Sequence, residues 1–488
     1  MASLRKLNRP VFALLAVAAI AGGLRFANLS YPAERVFDEV YYPKDACLYL
    51  GGSLKECDIK DSGERYWVKE RGEVGSWVHP PMGKWMIAGG EALFGNDPLG
   101  WRFSAALFGT LTCVLTAAIA LLLFRSVLWS FVAGLLISTE SLHFVMSRVG
   151  LLDVFLAFWV TLGFFFIVLD RRWIHRRSNI PLSPPVPRSG LEDDSPSPVP
   201  PPVPMVTELP PKVPSPLWRP WRFAAGAAFG AAAATKWSGI FALFGALFLS
   251  FLWEVTRRRR AGVSKPILAS VKGESLGMIL GLALLPSVVY LAAFVRWWMQ
   301  HGFDLNGFWE LHVAAEQFHT TLSRIDASGE LKHPYASRPW DWFILARPVN
   351  FFFESPGAAV LAVGNPVIFW GSIGSLFYSM WSWMKRKDAR CGFIVVAVLA
   401  QYLPWFLYPN RVQFLFYMTP IVPFMVLACV YALRRLSSST KGDRGISWIV
   451  VVLVALSVGV FAFQWPVLTG YPLTYDMWKF RVWFPSWI

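Results

Sequence analysis

Two adjacent carboxylates, Asp38 and Glu39, stand in the run Phe37-Asp38-Glu39-Val40-Tyr41-Tyr42, shortly past a long apolar segment. A carboxylate among aromatic side chains is poorly hydrated, and it can act as a general base when held within hydrogen-bond reach of the proton it removes. The competing role is plain capping of a short loop helix by either acid. Asp153, in Ser147-Arg148-Val149-Gly150-Leu151-Leu152-Asp153, is a second acid at the mouth of an apolar stretch. Such groups are costly at membrane depth and face a cavity or a partner, and Arg148 is one partner within reach. His79 lies in Trp77-Val78-His79-Pro80-Pro81-Met82-Gly83-Lys84; the His-Pro-Pro run keeps the backbone extended, and the segment also suits an interfacial anchor. Isolated cations, Arg25, Arg102, Lys236 and Arg411, sit near the ends of apolar segments. Each could snorkel to lipid headgroups; together they could bind a phosphate, for which arginine offers a bidentate fork. Cys47 and Cys57 could close a short loop as a disulfide in an oxidising environment, two free thiols being the alternative, and their spacing fits no common zinc motif.

The elements that must position these residues are membrane spans. The chain has 488 residues, 55% of them hydrophobic and only 16% charged, whereas a soluble domain carries about 25% charged residues. That excludes an ordinary soluble domain, a disordered chain and a disulfide scaffold. Apolar windows that cross a bilayer core of about 30 Å fall at 10–29, 104–124, 127–146, 154–169, 276–295, 362–383, 391–408, 412–433 and 446–465. The run 223–253 is broken only by Lys236 and Trp237, so it reads as two short spans that turn at this pair, one tilted helix being the alternative. The expectation is an all-α polytopic membrane protein with about 11 transmembrane helices.

Charge sets its orientation. The 46 Lys and Arg against 31 Asp and Glu give a formal +15, which by itself suits nucleic acid, an anionic lipid surface or an anionic substrate. Clusters at 171–177, 257–260, 385–387 and 434–435 all fall on one side when the N-terminus is cytoplasmic and the C-terminus extracytoplasmic, as the positive-inside rule requires. Nucleic acid is therefore not an expected partner. The first span lacks a small-residue cleavage site and reads as uncleaved. The domains expected are an N-terminal transmembrane catalytic half, 1–177, with a first outer loop at 30–97; a Pro-rich cytoplasmic linker, 178–216; a continuation of the catalytic module, 217–295; a second outer loop, 296–361; and a C-terminal transmembrane module, 362–488.

Asp38-Glu39, His79-Pro80-Pro81-Met82-Gly83-Lys84, the TrpArgPheSerAlaAlaLeuPheGly run at 101–109, the SerArgValGlyLeuLeuAsp run ending at Asp153, ThrLysTrpSerGly at 235–239 and GlyAsnPro at 364–366, in this order, resemble the protein O-mannosyltransferases. These are multi-span enzymes of the C-type glycosyltransferase superfamily. The segments at 333–342, 347–354 and 411–424 look most like the actinobacterial branch. The resemblance implies the C-type fold and transfer of mannose from polyprenyl-phosphate-mannose to Ser or Thr hydroxyls of secreted or membrane proteins, with inversion, on the extracytoplasmic face of the cell membrane. It makes Asp38 the base and Glu39 a needed neighbour. Arg25, Arg102 and Lys236 match family cations near the donor phosphate, with Arg411 beside them; Asp153 is the second acidic position; His79, Arg148 and Arg338 are supporting residues. No cofactor and no metal ligand set is expected, although two outer carboxylates could hold a hydrated divalent ion. The alternatives are a related lipid-linked transferase acting on a glycolipid and, in a different class, a transporter or flippase, whose ionisable residues lie near the midplane.

Overall fold

The computed structural model describes residues 2–59, 78–177, 217–325, 329–441 and 447–487; the Pro-rich linker lies outside them. The chain is mostly helical, and a helix stands in each of the apolar windows. Among the described residues seven helices are long and apolar enough to cross a membrane: Arg9–Phe26, Pro98–Phe124, Asp153–Arg177, Gly239–Arg260, Pro266–Ala293, Ala389–Leu407 and Trp448–Thr469. Val127–Ser138, Pro220–Thr235, Pro366–Arg386 and Val422–Lys441 are shorter or more polar and pack among them.

Local chemistry explains the boundaries. Asp97 caps Pro98–Phe124, its Oδ1 accepting from the Gly100 N–H at 2.8 Å, with proline at the first helical position, where its missing N–H costs nothing. Helix Met82–Phe94 lies so close to this span that a Cβ on Gly90 would stand 2.3 Å from the Gly100 carbonyl oxygen. The run 223–253 does divide at Lys236-Trp237: Lys236 is extended at the end of Pro220–Thr235, and Gly239–Arg260 follows. Two windows differ from the expectation. The stretch 127–146 ends its first helix at Ser138 and restarts as Ser141–Met146, because Glu140 accepts from the Leu142 and His143 N–H groups at 3.1 and 2.7 Å and from the Asn365 N–H at 2.9 Å. In 412–433 the helix begins only at Val422; the residues before it pair with the second outer loop instead, Val412 N–H on the Leu322 carbonyl at 3.1 Å and Ser337 N–H on the Gln413 carbonyl at 2.8 Å.

The ends of the bundle are tied differently. At one end Asp170, Arg219, Glu254 and Glu274 form a buried ionic clasp. Arg219 donates to Asp170, to Glu254 at 2.6 Å and to Glu274 at 3.1 Å, and Arg222 and Arg257 add bonds to Glu274 and Glu254 at 2.7 and 2.6 Å. Asp170 precedes the linker and Arg219 follows it. At the other end the loops fold over the spans, Cys47 and Cys57 are joined as a disulfide, and a small antiparallel hairpin, Val349–Glu354 with Ala358–Ala362, closes the cover. Its register skips Phe351, and such a bulge re-aims the extra residue.

Candidate active site

Phe37 takes a left-handed backbone, φ +48°, a conformation that costs a bulky residue about 1–3 kcal/mol and persists only where its surroundings over-determine it. Here they do. The Phe37 ring is held by Phe351 at 4.8 Å between centroids, Phe416 at 5.8 Å, His333 at 5.9 Å and Phe414 at 6.0 Å. The bulged Phe351 is thus a wall of this box. The turn that follows, Phe37–Val40, sends its two carboxylates to different environments.

Glu39 is sealed in. It accepts from Arg102 Nε at 2.8 Å and Nη2 at 2.7 Å, from the Val36 N–H at 3.0 Å and from the Gly150 N–H at 2.7 Å. Arg102 gives its other N–H groups to the carbonyls of Leu29, Pro32 and Glu34. All five of its donors are engaged inside the protein. The pair is a bidentate pin joining span Pro98–Phe124 to the turn that carries Asp38. Arg25 is likewise fully buried, donating to the Ala21 and Ser138 carbonyls at 3.3 and 3.4 Å and facing His143 Nδ1 at 3.0 Å. Arg148 does not pair with Asp153; it donates to the carbonyls of Leu24, Arg25, Ala27 and Asn28 and so caps the end of the first span. Arg338 precedes the turn Pro339–Trp342, its guanidinium 5.0 Å from the Trp340 ring, and does not line the cavity described next.

Asp38 faces a cavity of about 160 Å³ lined by Tyr42, His79, His319, Arg411 and Tyr417, among others. Burial lifts its carboxyl to about 6; Lys236 pulls it down, Asp153 pushes it up, and a hydrogen bond from Tyr42 lowers it. Burial and the nearby acids hold the Tyr42 phenol well above its ordinary range, so it remains a donor. Lys236 Nζ lies 3.0 Å from both oxygens of Asp153 and 5.1 Å from the Tyr417 ring centre. Its neighbour Trp237 donates to Tyr290 Oη at 3.0 Å, which fixes the turn between the two short helices.

Across the cavity stands a group that sequence reasoning missed. His319 Nε2 is 2.9 Å from the Val78 carbonyl oxygen, and its Nδ1 is 2.9 Å from Arg411 Nη2. A carbonyl only accepts, so Nε2 carries the proton and Nδ1 accepts from the guanidinium. Burial and the Arg411 charge lower this imidazole to about 4. His79 stacks beside it, centroids 5.0 Å apart, and burial, then Lys236 and His319, hold it well below the ordinary histidine range. Arg411 Nε has no partner although it is buried. His319 had no signal in the sequence because it sits late in the helix Leu305–Thr321, far in sequence from Arg411. Among the described residues no group of three or more His, Cys, Asp or Glu is placed to hold a metal ion.

Chemically, the cavity opposes a partly buried carboxylate, able to accept a proton near neutrality, to a guanidinium with free hydrogen-bonding capacity. Comparison with known proteins gives the family. Residues 15–178 match the family model described as dolichyl-phosphate-mannose-protein mannosyltransferase, and residues 304–487 match the C-terminal four-transmembrane region of protein O-mannosyltransferase. The polyprenol-phosphate-mannose–protein mannosyltransferase of Mycobacterium tuberculosis is 30% identical over 96% of this chain and 90% of its own length. The protein of that name from Corynebacterium glutamicum is 28% identical over 99% and 94%. In three dimensions the S. cerevisiae protein O-mannosyltransferase Pmt1-Pmt2 complex bound to the sugar donor superposes with a TM-score of 0.72 at 15% identity, over all of this chain and 94% of the other, which speaks to fold.

Proposed function

This chain is a membrane mannosyltransferase that belongs to the protein O-mannosyltransferase family, and from that premise we propose that it moves mannose from polyprenyl-phosphate-mannose to Ser or Thr hydroxyls of secreted or membrane proteins. The observation that carries the mechanism is the opposition of Asp38 and Arg411 across one cavity. The acceptor hydroxyl oxygen attacks the anomeric carbon from the Asp38 side and passes its proton to the carboxylate. The bond from that carbon to the phosphate oxygen breaks, its electron pair leaving with the polyprenyl phosphate, so the configuration inverts. Arg411, held by His319, takes the phosphate charge through its unpartnered Nε. Lys236 acts at the same end, neutralising Asp153 and keeping Asp38 ionised. Stabilising charge as it develops on a leaving group is the largest single contribution in many enzymes.

The active face is extracytoplasmic, eleven helices cross the cell membrane, and the N-terminus is cytoplasmic. This reading is supported by the basic clusters at 171–177, 257–260 and 385–387, which lie at the helix ends away from Asp38. Arg102 and Glu39, together with Arg25 and Arg148, position the catalytic turn and do not touch substrate. The test is transfer of radiolabelled mannose from polyprenyl-phosphate-mannose to a Thr-rich peptide in membranes holding wild type or Asp38→Asn at equal expression. Wild type labels the peptide and the variant does not. Label recovered only in lipid would overturn the protein acceptor, and undiminished transfer by Asp38→Asn would remove it as the base.

A further inference from the structure

A second cavity lies among the described residues, away from Asp38. It has a volume of about 500 Å³ between the helices Val127–Ser138, Pro366–Arg386, Val422–Lys441 and Trp448–Thr469, within the roughly 300–1,000 Å³ of a small-molecule site. Its walls are apolar, with Leu136, Ile368, Leu433 and Leu453 among them. It opens sideways from the bundle at Gly371, which is exposed and where a side chain would meet nothing within 4 Å. From Ile368 to Tyr378 the wall runs about 15 Å at 1.5 Å per helical residue, half the roughly 30 Å hydrocarbon core and so the depth of one leaflet.

One end of this groove is charged. Arg435 lines it, its side chain 38% exposed. Its nearest carboxylate oxygen, on Asp388, is 3.8 Å away, beyond hydrogen-bond range, because Arg390 already holds that atom at 2.6 Å. Lys385, Arg386 and Arg434 stand at the same helix ends. Arg435 itself lines the mouth, and the helix ends around it are rich in basic residues, Lys385, Arg386, Lys387, Arg390 and Arg434, against the acid Asp388. This end is opposite Asp38, since Val422–Lys441 starts just after the cavity-lining residues Phe414 and Tyr417 and finishes with Arg435 in its last turns. Basic pockets between spanning helices on the cytoplasmic side bind anionic headgroups.

We propose that the groove is a binding site for one anionic phospholipid of the leaflet opposite the catalytic cavity, its phosphate on Arg435 and its acyl chains along the apolar walls. The charge of the mouth and the leaflet-deep apolar length select this occupant over a second copy of the chain or the neutral tail of the donor. The site is independent of the mannosyl-transfer reading, because no lining residue belongs to the Asp38 cavity.

The experiment extracts the full-length protein in mild detergent and measures retained lipid by native mass spectrometry, then thermal stability on adding phosphatidylglycerol or phosphatidylcholine. Wild type is expected to keep about one anionic phospholipid and to be stabilised by phosphatidylglycerol alone. Arg435→Glu should hold it about tenfold more weakly, the effect of losing one charge-assisted contact. Gly371→Trp, which fills the opening and leaves every charge in place, should lose it with an unchanged elution profile. Equal retention of the two lipid classes, retention unaffected by both variants, polyprenyl phosphate as the retained species, or disulfide cross-linking between copies through Gly371→Cys would each overturn the proposal.

Discussion

Asp38 is tuned by its surroundings, and the tuning has a direction that can be measured. A base must be ionised to accept a proton; with its carboxyl near 6, transfer should fall about tenfold per pH unit below that point and level off above it. His79 and His319 stay neutral through this range, so they leave the acid limb to Asp38. The Lys236 charge lowers the Asp38 carboxyl and the Asp153 charge raises it. Lys236→Met should therefore move the limb to higher pH and Asp153→Asn to lower pH, read from initial rates at saturating donor across pH 5 to 8. Asp38→Asn should cost about 10²–10⁴ in rate. His319→Ala should act through Arg411, raising KM for the lipid donor more than it lowers kcat, with His319→Gln recovering part of the loss. An equal fall in both variants with unchanged KM would remove His319 from the donor side. The sequence made Asp38, His79, Lys236 and Arg411 legible because unusual residue types stood at span ends. It could not sort Arg102 from Arg411, since both are arginines at such ends and only the geometry reveals which has donors to spare.

At the level of elements, the catalytic turn is held by a pin and a box. The pin is Arg102–Glu39, with both side chains fully buried. Removing one partner of a buried ion pair costs about 3–5 kcal/mol because the other charge is left uncompensated. Arg102→Ala and Glu39→Gln should therefore lower the thermal midpoint as well as activity, while Asp38→Asn leaves the midpoint in place; a scan of the three variants in one detergent separates the roles. The break at Lys236-Trp237 was readable from the sequence as the favoured reading, since a charge interrupting an apolar run is costly inside one uninterrupted span. The late start of Val422–Lys441 was not: its preceding residues are as apolar as the helix, and they stay out of it because the loop residues Leu322 and Ser337 offer backbone partners. Pairing across so many residues leaves no trace in a local window. The Phe351 bulge is hidden for the same reason.

On the scale of the whole molecule, the sequence exposed the broad plan, an apolar bundle with its loops gathered over one face, because span length and charge asymmetry are summed over many residues. The ionic clasp at the opposite end was not visible, since Asp170, Arg219, Glu254 and Glu274 read individually as ordinary cytoplasmic charges. Its four side chains come from helix Asp153–Arg177, the start of Pro220–Thr235, and the helices Gly239–Arg260 and Pro266–Ile279. Arg219→Ala would leave the buried Asp170 without its arginine, while Glu254 and Glu274 keep Arg257 and Arg222, and should destabilise the bundle by about 3–5 kcal/mol, measured as a lower midpoint that raised salt does not restore. The clasp joins the elements on either side of the stretch between residues 177 and 217, Asp170 before and Arg219 after. A gene split between these positions should yield two polypeptides that find each other in the membrane and co-purify as one active enzyme, the Arg219–Asp170 contact standing in for the missing peptide connection.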